Sequence, residues 1–333
     1  MLNSKIIGSG RYLPKHVVTN FDLEKMMDTS DAWIRERSGI QERRFADPEN
    51  GETTSFMAAE ASKEALKMAG LTAKDIDFII VATLSPEMFF PGTGCPLGVH
   101  LGIPGIGAMD IRNQCTGFVY GVATADQFIK TGMYKNILVV GAEVQSAGLN
   151  MTTAGRDVAV LFGDGAGAVV MTSTEDNSKG VLTSHLHADG NFMKDLSVEN
   201  PSSGTKPFVN KEMVENGSVF PHMNGRMVFK NAVTRFPEVI REAFDATGLS
   251  TQDVDLVIPH QANERITEAV QMRLELPREK VFRNIHKYGN TTAASIPIAL
   301  NEALEEGLIN DGSLVCLAAF GSGFTWGANL IRW

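Results

Sequence analysis

Cys115, His260 and Asn290 are the residues of this 333-residue chain whose types and surroundings best suit covalent chemistry. Cys115 stands between the extended stretch GAMDIRNQ and an apolar run opening with GFVYG, which predicts a cysteine at a helix N-terminus. There the positive end of the helix dipole favours thiolate, the nucleophilic form. His260 follows the aliphatic strand signature DLVIP and opens the phrase HQANER. Loops at strand ends are where α/β folds hold their sites. Asn290 comes after VFRNIHKYG and before TTAASIP, again at an expected helix start.

Taken singly, each residue has a plainer reading. A cysteine in an apolar neighbourhood is usually a buried small hydrophobe, and Cys95 and Cys316 are read that way. His16, His100, His185, His187, His222 and His286 are read as structural or exposed, and an Asn before Thr-Thr is commonly an N-cap. Joint placement in an internal repeat sets the three apart. AGLTAKDIDFIIVAT (69–83) is similar to TGLSTQDVDLVIPH (247–260) at an offset of 178, and ILVVGAE (137–143) to LVCLAAF (314–320) at 177. The helix-ending glycines Gly132 and Gly307 lie 175 apart, and with that offset Cys115 falls on Asn290. Convergent α/β patterning is the alternative to duplication. Pseudo-twofold packing of two such halves would bring both helix starts and the His260 strand end to one centre.

The elements that must position these residues follow from hydrophobic periodicity. Strands are expected at Phe78–Ala82, Ile137–Val140, Gly167–Met171, Val254–Ile258 and Leu314–Ala318, and helices at Ser55–Ala69, Gly117–Thr131, Gly225–Thr247, Ala262–Leu274 and Ala293–Glu306. This alternation predicts buried sheets covered by helices. The polar run TSTEDNSKG divides the chain into halves spanning residues 1–175 and 176–333. The Asn-, Pro-, Ser- and Gly-rich segment Asp189–Met223 breaks the rhythm, and is either a cap over a substrate tunnel or a disordered insertion. FGDGAGA does not match a dinucleotide-binding loop, so Gly163, Gly165 and Gly167 are read as permitting close packing.

Composition narrows the function class. With 43% hydrophobic and 21% charged residues the chain can bury a sizeable core, and no run of 18 apolar residues suggests a membrane span. The opening MLNSKIIGSGRYLPK has an apolar run too short for a secretory signal, and three scattered cysteines fit a reducing cytoplasm. A formal net charge of −9 argues against general nucleic-acid binding and means an acidic partner would need a local basic patch.

KIIGSGRYLP, DTSDAWIRERSGIQERR, CTGFVYG, FGDGAGAVV, PHQAN, YGNTTAASIP and GSGFTWG, in this order and spread along the whole chain, resemble the β-ketoacyl-acyl-carrier-protein synthase III family. The resemblance implies a duplicated, five-layered αβαβα thiolase-like fold, a homodimer, and a Cys-His-Asn centre at Cys115, His260 and Asn290. It implies that Cys115 takes an acyl group from acyl-CoA. Malonyl-acyl carrier protein is then decarboxylated, with His260 and Asn290 donating to the enolate. Coenzyme A enters as a thioester substrate, with no resident cofactor or metal. By the same resemblance, backbone N–H groups of Cys115 and Ser322 hold the acyl oxyanion. Trp33, Arg37 and Arg156 hold the adenine end of CoA, and Asn263 supports the enolate-binding side chains and the pantetheine arm. Phe320 lies beside the cysteine, Phe90 reaches across the dimer to the acyl pocket, and Lys230 and Arg265 meet the carrier protein. The chain departs from the family at Gln114, where a small residue is usual, at Ser322, where glycine is usual, and in the length of Asp189–Met223.

Overall fold

Alternation along the strands decides the layering, because successive side chains point to opposite faces. In the strand Phe78–Ala82, Ile79 and Val81 pack against the helix Thr54–Ala69, while Ile80 faces the helices Gly117–Lys130 and Ser295–Glu305. In Leu314–Gly321, Val315, Leu317 and Ala319 face those same two helices from the other side. Leu314, Cys316, Ala318 and Phe320 instead join the core with the helices Gly225–Asp245 and Glu264–Arg273. The computed structural model, which describes residues 2–333, is thus a five-layered αβαβα stack.

Both sheets have the same plan. The first runs Asn3–Tyr12, Gly165–Thr174, Asn136–Glu143, Phe78–Ala82, Gly107–Ile111, paired antiparallel, antiparallel, parallel, parallel. The second runs Gly180–Ala188, Thr325–Arg332, Leu314–Gly321, Leu256–Pro259, paired antiparallel, antiparallel, parallel. A single parallel bridge from Val257 to Val281 stands where the fifth strand of the first sheet lies. The matching order and directions describe a duplicated fold.

The register of the duplication corrects one expectation. The central helices begin at Gly117 and Ser295, 178 residues apart, and the strands beginning at Phe78 and Leu256 share that offset. The second central helix has 11 residues against 14, so the glycines that follow the helices are only 175 apart. Carried back to the helix starts, the shorter offset misplaces the match by nearly a turn. The structural counterpart of Cys115 is Ala293, with Asn290 three residues upstream. Gln114 and Thr292, also 178 apart, both carry a positive φ, of 42° and 46°.

All five expected strands and all five expected helices are present, with ends shifted by a few residues. Strands not anticipated include Asn3–Tyr12, Gly107–Ile111, Gly180–Ala188 and Thr325–Arg332, which mix glycine and polar residues and lack a long aliphatic run, and the antiparallel pair His16–Thr19 and Glu42–Phe45. The segment Asp189–Met223 is folded: Leu196–Ser197 pairs with His222–Met223, Lys211–Glu215 is helical, and Asp189 exchanges backbone hydrogen bonds with Phe324 at 2.7 and 2.8 Å. Cys316 is buried, but Cys95 is exposed at the start of the short helix Gly94–His100. No helix among the described residues is long and apolar enough to cross a membrane.

Close packing of the central layer rests on small residues. A Cβ on Gly163 would meet the Tyr288 carbonyl, one on Gly165 would stand 3.1 Å from Ile298, and one on Gly167 would stand 2.7 Å from the backbone of Pro297 and Ile298. We predict that Gly167→Ala lowers unfolding free energy by about 1–3 kcal/mol, the scale of overpacking. Gly105→Ala, where an added methyl meets open space, should change it little. Urea denaturation midpoints of the two variants check this, and equal midpoints would contradict it.

Candidate active site

Cys115 sits in the turn Gln114–Thr116 that leads into the helix Gly117–Lys130. Gly117 packs on Ala82 and brings that helix start onto the first sheet. From the second half, Gly321 lies against the cysteine: a Cβ there would fall 2.6 Å from the Cys115 Cβ and 3.1 Å from Sγ. The backbone N–H groups of Cys115 and Ser322 both lie near the sulfur, where they favour its charged form. Two fixed donors converging on one point can stabilise negative charge developing there.

The expected thiolate is not the resting state. Burial pushes the Cys115 thiol up to about 12, with the buried Glu143 carboxylate adding to the effect and the two N–H groups opposing it. Desolvation outweighs the helix terminus because the charged form has lost its water. The resting group is the thiol.

His260 ends the strand Leu256–Pro259, held by a 2.8 Å bond from its N–H to the Ala318 carbonyl. Its Nδ1 lies 2.6 Å from Ser295 Oγ, at the first residue of the second central helix. The Gln261 N–H donates to the same hydroxyl at 3.4 Å, and no carbonyl among the described residues takes the hydroxyl proton. The network therefore assigns that proton to a bond with Nδ1, which leaves Nε2 protonated. Nε2 is buried and has no partner among the described residues. Burial also lowers the imidazole pKa to about 3, so His260 is a neutral donor at ordinary pH.

Asn290 is clamped at three points. Its N–H donates to Leu161 O at 2.8 Å, its carbonyl accepts from Gly163 N at 3.1 Å, and its Oδ1 accepts from Thr292 N at 2.9 Å. With Oδ1 committed, Nδ2 is the end of the amide free to donate. The FGDGAGA segment thus serves the site by fixing Asn290.

Two cavities meet at Cys115. One, of about 450 Å³, is lined by Trp33, Arg37, His260, Asn263, Asn290 and Phe320. The other, of about 690 Å³, includes Leu84, Gln114, Val144, Leu196, Val198 and Ser322 in its wall. Trp33 and Arg37 share one face of the helix Asp31–Ser38, where Ser30 caps the N-terminus through Trp33 N at 3.1 Å. The guanidinium of Arg37 lies 4.6 Å from the Trp33 ring centroid and that of Arg156 lies 5.5 Å from it, a cationic and aromatic rim. Arg265 is at the same mouth, 6.0 Å from the Phe229 ring, and Lys230, the residue after Phe229, is exposed.

Several expected placements differ in detail. Asn263 caps the helix Glu264–Arg273 and donates to Arg37 O at 2.9 Å, so it lines the tunnel without touching His260 or Asn290. Ser295 holds the imidazole instead. It was missed because a serine inside an Ala-rich helix start has no distinguishing sequence pattern. Phe320 belongs to the 450 Å³ cavity beside His260, not to the wall of the larger one. Phe90 is 79% exposed and lines neither cavity within one chain. Gln114 does face the larger cavity, its amide nitrogen bonded to Arg112 O at 3.3 Å. Ser322 Oγ donates to Leu196 O, which ties the donor loop to the Asp189–Met223 segment.

Comparison with known proteins identifies the family and the fold. Residues 109–190 match the family described as 3-oxoacyl-[acyl-carrier-protein (ACP)] synthase III, and residues 244–333 match its C-terminal family. The β-ketoacyl-[acyl-carrier-protein] synthase III of Geobacillus kaustophilus is 50% identical over 332 residues, covering 100% of this chain and 99% of that one. The crystal structure of the Aquifex aeolicus synthase III superposes with a TM-score of 0.91 at 47% identity, covering 99% of this chain and 100% of that one. The priming β-ketosynthase of the R1128 polyketide pathway superposes at 0.89 with 31% identity, covering 99% and 96%. This chain belongs to the β-ketoacyl-[acyl-carrier-protein] synthase III family of thiolase-fold condensing enzymes.

Proposed function

We propose that this protein condenses an acyl-CoA primer with malonyl-acyl carrier protein, releasing CO2 and yielding a 3-oxoacyl-acyl carrier protein that initiates fatty-acid synthesis. The observation that carries this reading is the meeting of two cavities at one sulfur. Two backbone N–H groups lie near that sulfur, and the side chains of His260 and Asn290 line the tunnel. The Trp33, Arg37 and Arg156 rim receives the adenine and phosphates of CoA, and the 450 Å³ cavity takes the pantetheine arm past Asn263. Cys115 attacks the thioester carbonyl while the Cys115 and Ser322 N–H groups hold the oxyanion. The acyl group stays on sulfur, and CoA leaves as its thiol with the displaced proton.

Malonyl-acyl carrier protein then enters by the same mouth, its acidic surface meeting Lys230 and Arg265. Loss of CO2 leaves an enolate whose oxygen accepts from His260 Nε2–H and Asn290 Nδ2–H, each donor contributing roughly 3 kcal/mol. The enolate carbon attacks the acyl carbonyl, the C–S bond breaks, and the released Cys115 thiolate takes up one proton. The wall of the larger cavity suits the acyl chain, with Leu196 and Val198 from the Asp189–Met223 segment. Phe90 of a second copy would complete it in a homodimer, a role its exposure beside the edge strand Gly107–Ile111 supports. The two halves, residues 1–175 and 176–333, contribute the nucleophile and the donors respectively. The free cysteines are compatible with a cytoplasmic setting, and no resident cofactor enters the scheme.

Four outcomes test this. Cys115→Ser should retain the fold and give no acyl adduct with acyl-CoA by intact-protein mass spectrometry; an adduct on Cys95 or Cys316 would overturn the assignment. His260→Ala and Asn290→Ala should self-acylate yet release CO2 from malonyl-acyl carrier protein about 10²–10³-fold more slowly. Because His260 stays neutral down to about 3, wild-type CO2 release should be flat between pH 5 and 7, and a fall with an ordinary imidazole pKa would contradict the donor role. Finally, excising residues 200–217 should shift the preferred primer by a few carbons, since apolar tunnels discriminate by about 1–3 kcal/mol per methylene. Turnover across straight and branched acyl-CoA primers reads this out, and an unchanged profile removes residues 200–217 from primer selection.

A further inference from the structure

Glu143 ends the central strand Asn136–Glu143 with no solvent exposure, and the reaction scheme above makes no use of it. Its carboxylate is met by donors from both halves of the fold. Leu84 N lies 3.2 Å away, Ser85 Oγ 2.5 Å, Thr83 Oγ1 3.3 Å, Gln145 Nε2 3.2 Å and Ala293 N 3.5 Å. The Ser85 hydroxyl accepts from Val144 N at 2.9 Å, which directs its own proton onto Glu143. Among the described residues no cation stands against this carboxylate. Such an acceptor persists only where its donors are fixed around it.

The partners explain its place. Leu84, Ser85 and Gln145 line the larger cavity beside Cys115, and Ala293 is the counterpart of Cys115 in the second half. The outer helices are capped by the side chains of Thr53, Asn224 and Asn263, whereas neither central helix has a side-chain cap from its N-cap residue. At the first central helix the Cys115 N–H lies near its own sulfur and favours the charged form. At the second, the turn Thr292–Ala294 meets the Glu143 carboxylate from across the sheet.

We propose that Glu143 is a positioning residue that holds the Asn290–Ala293 turn and the Thr83–Ser85 cavity wall in register with Cys115. Burial raises the Glu143 pKa against the pull of its hydrogen-bond donors, and in its charged form Glu143 disfavours the Cys115 thiolate. The other titratable groups nearby are Glu87 and Arg112 in the wall of the larger cavity and neutral His260 in the smaller. The effect on condensation rests on the function proposed above, but the effect on the thiol does not.

The test combines two readouts on Glu143→Gln and Glu143→Asp. Iodoacetamide alkylation of Cys115 across pH 6–10, followed by peptide mapping, reads the thiol without any acyl substrate. Glu143→Gln removes the ionisable group at constant size and should speed alkylation at each pH of that window, which lies below the thiol's titration at about 12, while Glu143→Asp should keep the wild-type profile. Both variants should slow condensation by about tenfold or more with the acyl-CoA KM little changed, the scale of a small misplacement of reacting groups. A wild-type alkylation profile in Glu143→Gln, or full condensation rates in both variants at unchanged Tm, would overturn the proposal. If wild-type enzyme failed to condense at all, the function would fall while the alkylation comparison still decided the role of Glu143.

Discussion

Both sheets press on one shared layer of two helices, and every feature of the site depends on how closely that layer is packed. Ile80, Val139 and Val169 reach it from one side, and Ile258, Val315 and Leu317 from the other. Bulk at the helix starts would push the sheets apart, so glycine and alanine stand there: Gly117 against Ala82, Gly141 against Ala293, Gly321 against Cys115. Interiors are close-packed and transmit displacement, which makes this layer a rigid ruler between the two halves. The sulfur, the imidazole and the carboxamide come together because the helices that begin beside them cannot separate.

That closeness sets the electrostatics. The junction is buried, and burial disfavours charge on either partner: the thiol is pushed up to about 12 and the imidazole down to about 3. The centre is therefore a set of neutral hydrogen-bond donors around an acyl position, suited to charge that appears only during reaction. Permanent positive charge is kept at the mouth, on Arg37, Arg156, Arg265 and Lys230. On a chain with formal net charge −9, this local rim can steer an anionic substrate where the overall field would not.

Duplication supplied two equivalent helix starts, and the halves then diverged at them. Gln114 and Thr292 keep the same positive-φ turn, which preserves the geometry of both lead-ins. One lead-in presents a cysteine with free N–H donors. The other presents an alanine whose N–H meets Glu143, with Asn290 clamped three residues before it by Leu161 and Gly163. A symmetric scaffold thus carries an asymmetric site, the nucleophile on one side and the donors on the other.

Much of this was legible in sequence. Strands buried on both faces read as aliphatic runs, so Phe78–Ala82 and Leu314–Gly321 stood out, as did the helices between them. The motifs around Cys115, His260 and Asn290 singled out those three positions as well, whereas the repeat reached Asn290 only through an offset that the helix starts overturn. The antiparallel strands were hidden, because Gly180–Ala188 and Thr325–Arg332 alternate with polar residues and glycines that local pattern does not distinguish from loop. The exact pairing of the halves was hidden too, since a helix shortened by three residues moves its end without moving its start. Only the tertiary structure decided the Ser295 contact to His260, the buried Glu143 and the protonated state of the thiol. Each depends on which groups from distant segments exclude water together, and burial is a property of the packed layers rather than of any stretch of chain.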